Sequence, residues 1–322
     1  MARFRLDLEY VGTRYSGWQI QKNARTVQGA LHEAVRKVQG RSDFESYGAG
    51  RTDAGVHALQ QVAHLDLETK LAPETLRRAL NDELPADVNL LRAEKVTRQF
   101  HARHTALARS YLYQIARRRT AFGKPFVWWI KDSLDAAAIA QAARAFEGLH
   151  DFRSFSDAEA REGETRVKLE RVEVKPSGDL LLVRVLGSHF LWKMVRRMVG
   201  VLAEVGRGGL APKDVERLLR ESSDLPAKLT APPSGLFLER VRYCERPERF
   251  EYRLTQKGRD LHLAIAGLRQ WGDTYLSEKP PRVLRRKSDG EQVVAALVPK
   301  GSPALRWDDV ELTPGPGYRP KD

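Results

Sequence analysis

The apolar residues of the first 245 positions alternate between two spacings, and this alternation limits the fold more than any other feature of the chain. Arg3–Tyr10 has apolar side chains at every second position, which is typical of a half-buried strand. Thr26–Val38 has them three or four positions apart, which predicts an amphipathic helix with Thr26 as its N-cap. Strand–helix–strand–strand units occur over about residues 1–105 and again over 106–245. This order favours an α+β fold with antiparallel strands and helices on one face.

The other elements are predicted in the same way. Helices are expected over Pro73–Leu80, Ser133–Phe146, Phe190–Val205 and Pro212–Arg220, and strands over Gln60–Leu67, Val88–Val96, Ala106–Ala116, Val167–Lys175, Leu180–Leu186 and Leu236–Tyr243. Ser133 is the expected N-cap of its helix. The turn residues Pro176–Asp179 predict a hairpin between two of the strands.

The predicted helix Phe190–Val205 has an apolar stripe and an unusual opposite side. That side combines Lys193 and Arg196 with the small residues Gly200 and Ala203. Small residues beside a cation allow another segment to pack closely against Arg196. A solvated surface with an incidental glycine explains the pattern equally well, so the sequence leaves both interpretations open.

The chain carries a large positive charge. It has 322 residues, with 55 Lys+Arg against 42 Asp+Glu and a formal net charge of +13. Such an excess indicates a polyanionic partner, either nucleic acid or an anionic membrane surface. No apolar run approaches the roughly 20 residues of a membrane span.

Because Cys244 is the single cysteine, we expect no internal disulfide, no cysteine metal cluster and a reducing compartment, with Cys244 packed in a strand.

The most basic stretch, Arg98–Arg119, contains six arginines and no acidic residue. It also contains His101, His104, Tyr111 and Tyr113. Basic charge interleaved with aromatic rings suits phosphate contact combined with base stacking. On composition alone, a basic amphipathic strand pair is an equally good interpretation.

The composition changes after Arg246, where proline, glycine and charged residues dominate. We therefore predict an N-terminal α/β half over 1–105, a C-terminal α/β half over 106–245, and an appended module or tail over 246–322. The role of the last part cannot be interpreted from its residues.

The densest group of special residues is Gly48–Ala58, where three glycines surround Asp53. Glycine allows tight turns and close backbone approach to a ligand. In an extended stretch Arg51 and Asp53 point to the same side, and a neighbouring cation favours an ionised carboxylate. Such an aspartate suits a nucleophile or a general base, whereas the simpler alternative is a glycine-rich turn capped by Asp53. We expect no phosphate-binding loop and no metal site here.

These residues resemble a known family. The segment Gly50–Ala58 is similar to the signature of the tRNA pseudouridine synthase A family. Further blocks resemble that family in its own order: Glu9–Gln19, Thr26–Gln28, Phe100–Arg103, Ala108–Tyr113, Asp151–Phe155, Met194–Gly200 and Gly235–Leu238. The matching blocks extend over about residues 3–245, so the resemblance covers both predicted halves.

The resemblance implies two similar ferredoxin-like α/β halves that form one mostly antiparallel sheet with a basic cleft between them. It implies the isomerisation of uridine to pseudouridine at positions 38 to 40 of the tRNA anticodon stem and loop. It further implies a cytoplasmic homodimer that uses no metal and no cofactor.

The resemblance also implies roles for individual residues. Asp53 is the expected catalytic aspartate, Tyr111 contacts the target base, Arg196 pairs with Asp53, Arg51 lies beside the site, and Leu236 lines the pocket. Pairing with Arg196 requires the second half to fold over the first, which would explain the unusual side of its helix.

Three basic residues are candidates for contact with the RNA backbone: Arg103, Arg109 and Lys193. Lys193 occupies a position where the family often has His or Asn, and the bulky Trp192 precedes it.

Two other functions are compatible with parts of the sequence. A non-catalytic tRNA-binding protein or RNA chaperone explains the basic charge, but it does not explain an acidic side chain in an RNA cleft. A glycosidase usually needs two cooperating carboxylates. Asp53 has no acidic neighbour between Glu45 and Asp66, so a second carboxylate would have to come from elsewhere in the fold.

Overall fold

The strands described within Met1–Pro247 form a ten-stranded sheet in a computed structural model. The structure describes residues 1–157, 165–244, 262–276, 282–296, 303 and 309–316. The chain divides into two compact units, Met1–Pro247 and Glu248–Asp322.

The described helices and strands follow one another in the expected alternation. The helices are α1 (Val27–Gln39), α2 (Pro73–Glu83), α3 (Ala136–Ala143), α4 (Met194–Gly206), α5 (Asp214–Arg220), α6 (Leu225–Lys228) and α7 (His262–Tyr275). The strands are β1 (Ala2–Tyr10), β2 (Glu45–Gly48), β3 (His57–Leu67), β4 (Val88–Val96), β5 (Ala106–Ala116), β6 (Trp128–Trp129), β7 (Gly148–Asp151), β8 (Arg166–Ser177), β9 (Leu180–Gly187), β10 (Leu236–Tyr243), β11 (Arg282–Arg286) and β12 (Val310–Pro314).

The strand order of the large sheet repeats. In the first half the order is β4-β1-β3-β2, and in the second it is β10-β5-β9-β8, followed by β7 at the edge. Each half is therefore a β-α-β-β-α-β unit with the ferredoxin-like strand order, and neighbouring strands within each unit are antiparallel. The predicted α+β class with two similar halves in one mostly antiparallel sheet is confirmed.

The two halves meet at a short parallel seam in which His57–Ala58 pairs with Phe237–Leu238. Both ring nitrogens of His57 make hydrogen bonds at this seam. Its Nδ1 accepts from the Gly12 N–H at 3.1 Å, so its Nε2 donates to the Pro125 carbonyl, also at 3.1 Å. Burial lowers the pKa of His57, which keeps the ring neutral in this arrangement.

The hydrophobic core explains why β1 alternates. Phe4, Leu6 and Leu8 are buried in the cluster that includes residues of α1 and α2. On the opposite face of the same strand, Arg5 and Asp7 form an ion pair at 2.8 Å. Burial of alternate side chains therefore fixes which face of the sheet the helices cover.

Two helix starts differ from prediction by three or more residues, and the helix predicted from Pro212 begins two residues later, at Asp214. The helix predicted from Ser133 begins at Ala136, because the Asp135 carboxylate, rather than Ser133, accepts from the N–H groups of the first turn. The helix predicted from Phe190 begins at Met194, because Lys193 adopts a left-handed conformation with φ 58° that no helix can include. The N-cap Thr26, by contrast, is confirmed.

Smaller features were also missed or wrongly predicted. The short strands β2, β6 and β7 give too few residues for a readable spacing. Cys244 is exposed just after β10, so its expected packing within a strand is wrong.

The second unit contains the helix α7 and the two-stranded sheet of β11 and β12. Within it, the Arg269 guanidinium donates to the Arg282 carbonyl at 2.6 Å, and the Gln270 side chain accepts from the Ala295 N–H at 2.8 Å. In the described part of the chain, no helix combines the length and the hydropathy needed to cross a membrane.

Candidate active site

Asp53 lies in the connection between β2 and β3, which a neighbouring loop holds in place. The Trp18 N–H donates to the Thr52 carbonyl at 3.1 Å, and the Gly55 N–H donates to the Tyr15 carbonyl at 3.2 Å. Gly17 has φ +94°, and a Cβ on it would overlap the Thr52 carbonyl oxygen. Glycine at this position therefore lets the two loops touch through their backbones.

Two buried side chains anchor the connection on the other side. The Tyr10 hydroxyl and the Thr52 hydroxyl lie 2.8 Å apart, and the Gln61 amide donates to the Gly50 carbonyl at 3.0 Å. These bonds fix Gly50 and Thr52, which precede Asp53 in the connection, and so restrict the position of its carboxylate.

Arg196 of α4 reaches the Asp53 carboxylate, with Nη1 3.4 Å from Oδ2. Both side chains are largely buried, at 14% and 18% exposure, so water screens the pair less than it would at the surface. The Arg196 Nε donates to the Ala231 carbonyl at 2.8 Å, and the Ala231 N–H donates back to the Arg196 carbonyl at 3.1 Å. The guanidinium is thus held by Ala231 through a nitrogen other than the one that contacts Asp53.

The small residues of α4 explain how Ala231 comes so near. A Cβ on Gly200 would overlap the carbonyl oxygen of Leu229. The side of the helix that carries Arg196 and Gly200 is therefore covered by residues 229–231 rather than solvated. Of the two interpretations left open by the sequence, the structure selects close packing.

Tyr111 of β5 lies close enough to Asp53 for the charge of the carboxylate to act on its phenol. Its ring packs edge-on against Phe190, with centroids 4.9 Å apart, and it is 8% exposed. Burial, reinforced by the negative charge of Asp53, raises the pKa of Tyr111 to about 12. The phenol is therefore neutral near pH 7 and can donate a hydrogen bond.

Leu236, the first residue of β10, is buried opposite Tyr113. The Tyr113 hydroxyl donates to the Pro232 carbonyl at 2.7 Å, so the segment that holds Arg196 is also tied to β5. Asp53, Arg196, Tyr111 and Leu236 are therefore placed by elements that touch one another.

The remaining predicted residues lie in different surroundings. Arg51 and Arg103 are exposed, and their guanidinium groups have no hydrogen-bond or ion-pair partner among the described residues. Lys193 lies over the Trp192 ring at 4.0 Å, with its Nζ 3.6 Å from Asp157. Arg109 differs most from expectation, because its guanidinium is engaged with backbone carbonyls.

Some contributors were missed by the sequence reasoning. Residues 229–232 hold Arg196, yet they lie far from it in the chain and carry no recognisable motif. Phe190 was assigned to a helix instead of to the wall beside Tyr111.

No group of three His, Cys, Asp or Glu side chains in the described residues could hold a metal ion.

Comparison with known proteins identifies the family to which this arrangement belongs. The sequence model of the family described as tRNA pseudouridine synthase matches residues 8–104 and 142–244. The fold is thus that of an isomerase class that acts on RNA. The chain belongs to the tRNA pseudouridine synthase family.

Individual relatives agree with this assignment. The tRNA pseudouridine synthase A of Agrobacterium fabrum is 41% identical over 248 residues, which are 76% of this chain and 93% of that protein. The protein of the same name from Xanthobacter autotrophicus is 42% identical over 246 residues, 76% of this chain and all of that protein. A solved Cbf5-Nop10-Gar1 complex is 13% identical, with a TM-score of 0.27 over 62% of this chain and 54% of that chain, too low to carry an argument.

Proposed function

We propose that this chain converts uridine to pseudouridine at positions 38 to 40 of the tRNA anticodon stem and loop, with Asp53 as the catalytic residue. The observation that carries the proposal is the contact of Asp53 with Arg196 beside Tyr111, which unites an acid, a cation and an aromatic ring in one cleft. A binding protein has no use for a carboxylate facing a polyanion, so the non-catalytic alternative is not favoured.

The reaction needs an ionised carboxylate at the ribose. The N1–C1′ bond must break, the uracil must rotate, and C5 must bond to C1′ before the C5 proton is lost. Asp53 suits two routes: its carboxylate attacks C1′ and is later expelled by C5, or it removes the C2′ proton to form a glycal. Arg196 suits either route, because its guanidinium lies 3.4 Å from the Asp53 carboxylate and can hold that carboxylate in place.

Tyr111 suits a binding role toward the uracil. Its ring offers a stacking surface, and its neutral phenol donates a hydrogen bond to a uracil oxygen rather than accepting a proton at neutral pH. Leu236 contributes an apolar wall nearby. A uridine paired or stacked in tRNA must leave its stack to reach Asp53, so the cleft receives a flipped base.

The basic surface would hold the rest of the tRNA. Arg51, Arg103 and Lys193 are the candidates for phosphate contact, and such contacts give salt-dependent affinity. The halves 1–105 and 106–245 would form the catalytic body, with 246–322 as an appendage. The homodimer and the cytoplasmic location implied by the resemblance belong to the same proposal, and sedimentation of the purified protein tests the first of them.

Replacement of Asp53 tests the proposed function. Asp53→Asn and Asp53→Ala should lower pseudouridine formation about a thousandfold or more, while tRNA affinity persists. Tritium release from tRNA labelled at uridine C5 measures turnover, and filter binding measures affinity. Asp43→Asn, at an exposed carboxylate beside Arg41, is the matched control. Normal turnover by either Asp53 variant, or no turnover by the unmodified protein, would overturn the proposal.

A further inference from the structure

Arg109, at the start of β5, donates hydrogen bonds to four backbone carbonyls. Its Nη2 reaches Ala49 at 3.0 Å and Arg103 at 2.8 Å. Its Nη1 reaches Ser188 at 2.8 Å and Ala106 at 3.3 Å. These four bonds use all four N–H groups on the two terminal nitrogens, so no terminal donor is left to bind a phosphate.

The carbonyls come from segments that build the cleft. Ala49 begins the connection that carries Asp53, and Arg103 lies in the linker between the two halves. Ser188 follows β9 and lies two residues before Phe190, whose ring packs against Tyr111. One guanidinium therefore joins the part that carries the acid to the part that supports the base-binding tyrosine.

The charge of Arg109 also acts inside the cleft. The side chain is half-buried, and its partners within the described residues are carbonyls rather than carboxylates. Burial lowers its pKa, but guanidinium stays charged at any pH at which the protein is folded. This positive charge lowers the pKa of Tyr111, against the effects of burial and Asp53. Arg109 is therefore close enough to Tyr111 for its position to affect the site.

We propose that Arg109 is a positioning residue that sets the distance between the Asp53 connection and the Tyr111–Phe190 wall, and that it does not bind RNA phosphate. The proposal rests on the function proposed above. Its physical basis is the planar fork of arginine, which can reach carbonyls in several directions. A lysine ammonium keeps the charge but has three donors on one atom, and cannot hold all four carbonyls. A displacement of about 1 Å in an active site can lower the rate about a hundredfold.

The test separates position, charge and phosphate contact. Arg109→Lys retains the charge, and Arg109→Met removes it together with every donor. For each variant, the single-turnover rate with enzyme in excess and the tRNA dissociation constant across a salt series are measured. We expect both variants to lose about tenfold to a hundredfold in rate, with unchanged tRNA affinity and unchanged salt dependence.

Arg103→Met is the comparison for a phosphate contact. It removes an exposed arginine from the same linker, and we expect it to weaken tRNA binding. The slope of log affinity against log salt concentration should fall by about 0.7 to 1. Arg220→Met, at an exposed arginine of α5, controls for the loss of one surface charge.

Three results would overturn the inference. A normal rate in Arg109→Lys would show that charge alone suffices, and a reduced salt slope in both Arg109 variants would show a phosphate contact. Loss of rate in strict proportion to the unfolded fraction, measured by circular dichroism at the assay temperature, would show a role in stability alone. Arg109→Lys decides this last point if Arg109→Met does not fold. If the unmodified protein is inactive, the proposed function fails instead.

Discussion

The guanidinium of Arg196 lies 3.4 Å from the carboxylate of Asp53, although 143 positions separate the two residues in the chain. The acid comes from a loop of the first half and the arginine from a helix of the second. The contact therefore exists only when both halves are folded onto one sheet. The complete site forms only in that assembly.

Replacement of Arg196 should reduce turnover more than binding. Arg196→Met removes the partner of Asp53 and leaves the Ala231 carbonyl without its donor, so we expect a loss in kcat of about a hundredfold or more. Arg196→Lys retains a charge but lacks a second donor nitrogen, so its kcat should lie between those of the unmodified protein and of Arg196→Met. Tritium release measures both. Arg207→Lys, at the exposed end of the same helix, is the control; equal kcat in all three variants would refute the role of Arg196.

Tyr111→Phe should retain the ring and lose one hydrogen bond to the substrate. The expected loss in kcat/KM is about tenfold, the cost of one hydrogen bond. Because the pKa of Tyr111 is raised to about 12, its phenol stays protonated up to strongly alkaline pH. The pH–rate profiles of the unmodified protein and of Tyr111→Phe should therefore have the same shape between pH 7 and 10. An ionisation in that range that disappears in the variant would contradict this. Tyr275→Phe, at an exposed tyrosine, controls for the substitution.

Gly200→Ala should disturb both stability and rate. Its methyl group would overlap the Leu229 carbonyl, so α4 or the 229–231 segment must move, and Arg196 with it. We expect a loss of about 1–3 kcal/mol in unfolding free energy, and a lower kcat under conditions in which the variant remains folded. Urea titration and turnover measure the two effects. Gly267→Ala, in an open position of α7, should cause neither; an unchanged Gly200→Ala would show that the contact is not needed.

His64 should make the protein less stable in acid. Burial lowers the pKa of His64 to about 4, and its Nδ1 accepts from the Ala102 N–H at 3.2 Å. An unfolded histidine titrates near 6.5. The unfolded chain thus binds more protons between these values, so stability falls as the pH drops from about 6.5 to 4. His32, with a pKa also lowered to about 4, adds to this slope.

His64→Asn provides the test, because an amide oxygen can replace Nδ1 as acceptor but does not titrate. Urea unfolding at several pH values should show a smaller loss of stability in acid than in the unmodified protein. His150→Asn, at a histidine outside this contact, controls for the substitution itself. An equal acid slope in His64→Asn would show that His64 does not contribute.

The sequence predicts best where a feature is local. Thr26 and the spacing of α1 lie within a few residues of each other, so their prediction is confirmed. The start of α4 was predicted too early because apolar spacing continues through Phe190, whereas the backbone at Lys193 turns left-handed. Spacing alone gives no information about φ at one residue.

The contacts of the site depend on partners that are distant in the chain. A basic composition suggested phosphate binding for Arg109, but composition does not reveal that four carbonyls surround that guanidinium. Likewise, Gly200 signalled a close approach without identifying Leu229 as the neighbour. The partners of such residues can be identified only when the tertiary packing is known.

The repeated strand order has a consequence for how the chemistry is divided. In the first copy the connection between its second and third strands is residues 49–56, long enough to present Asp53, whereas in the second copy Ser177 and Leu180 are joined by two residues. The second copy supplies Tyr111 and Arg196 instead. A chain assembled from two first copies would hold two counterparts of Asp53 and no counterpart of Arg196. A chain assembled from two second copies would hold no counterpart of Asp53. The two copies of the strand order are thus an unequal pair, in which neither copy can replace the other.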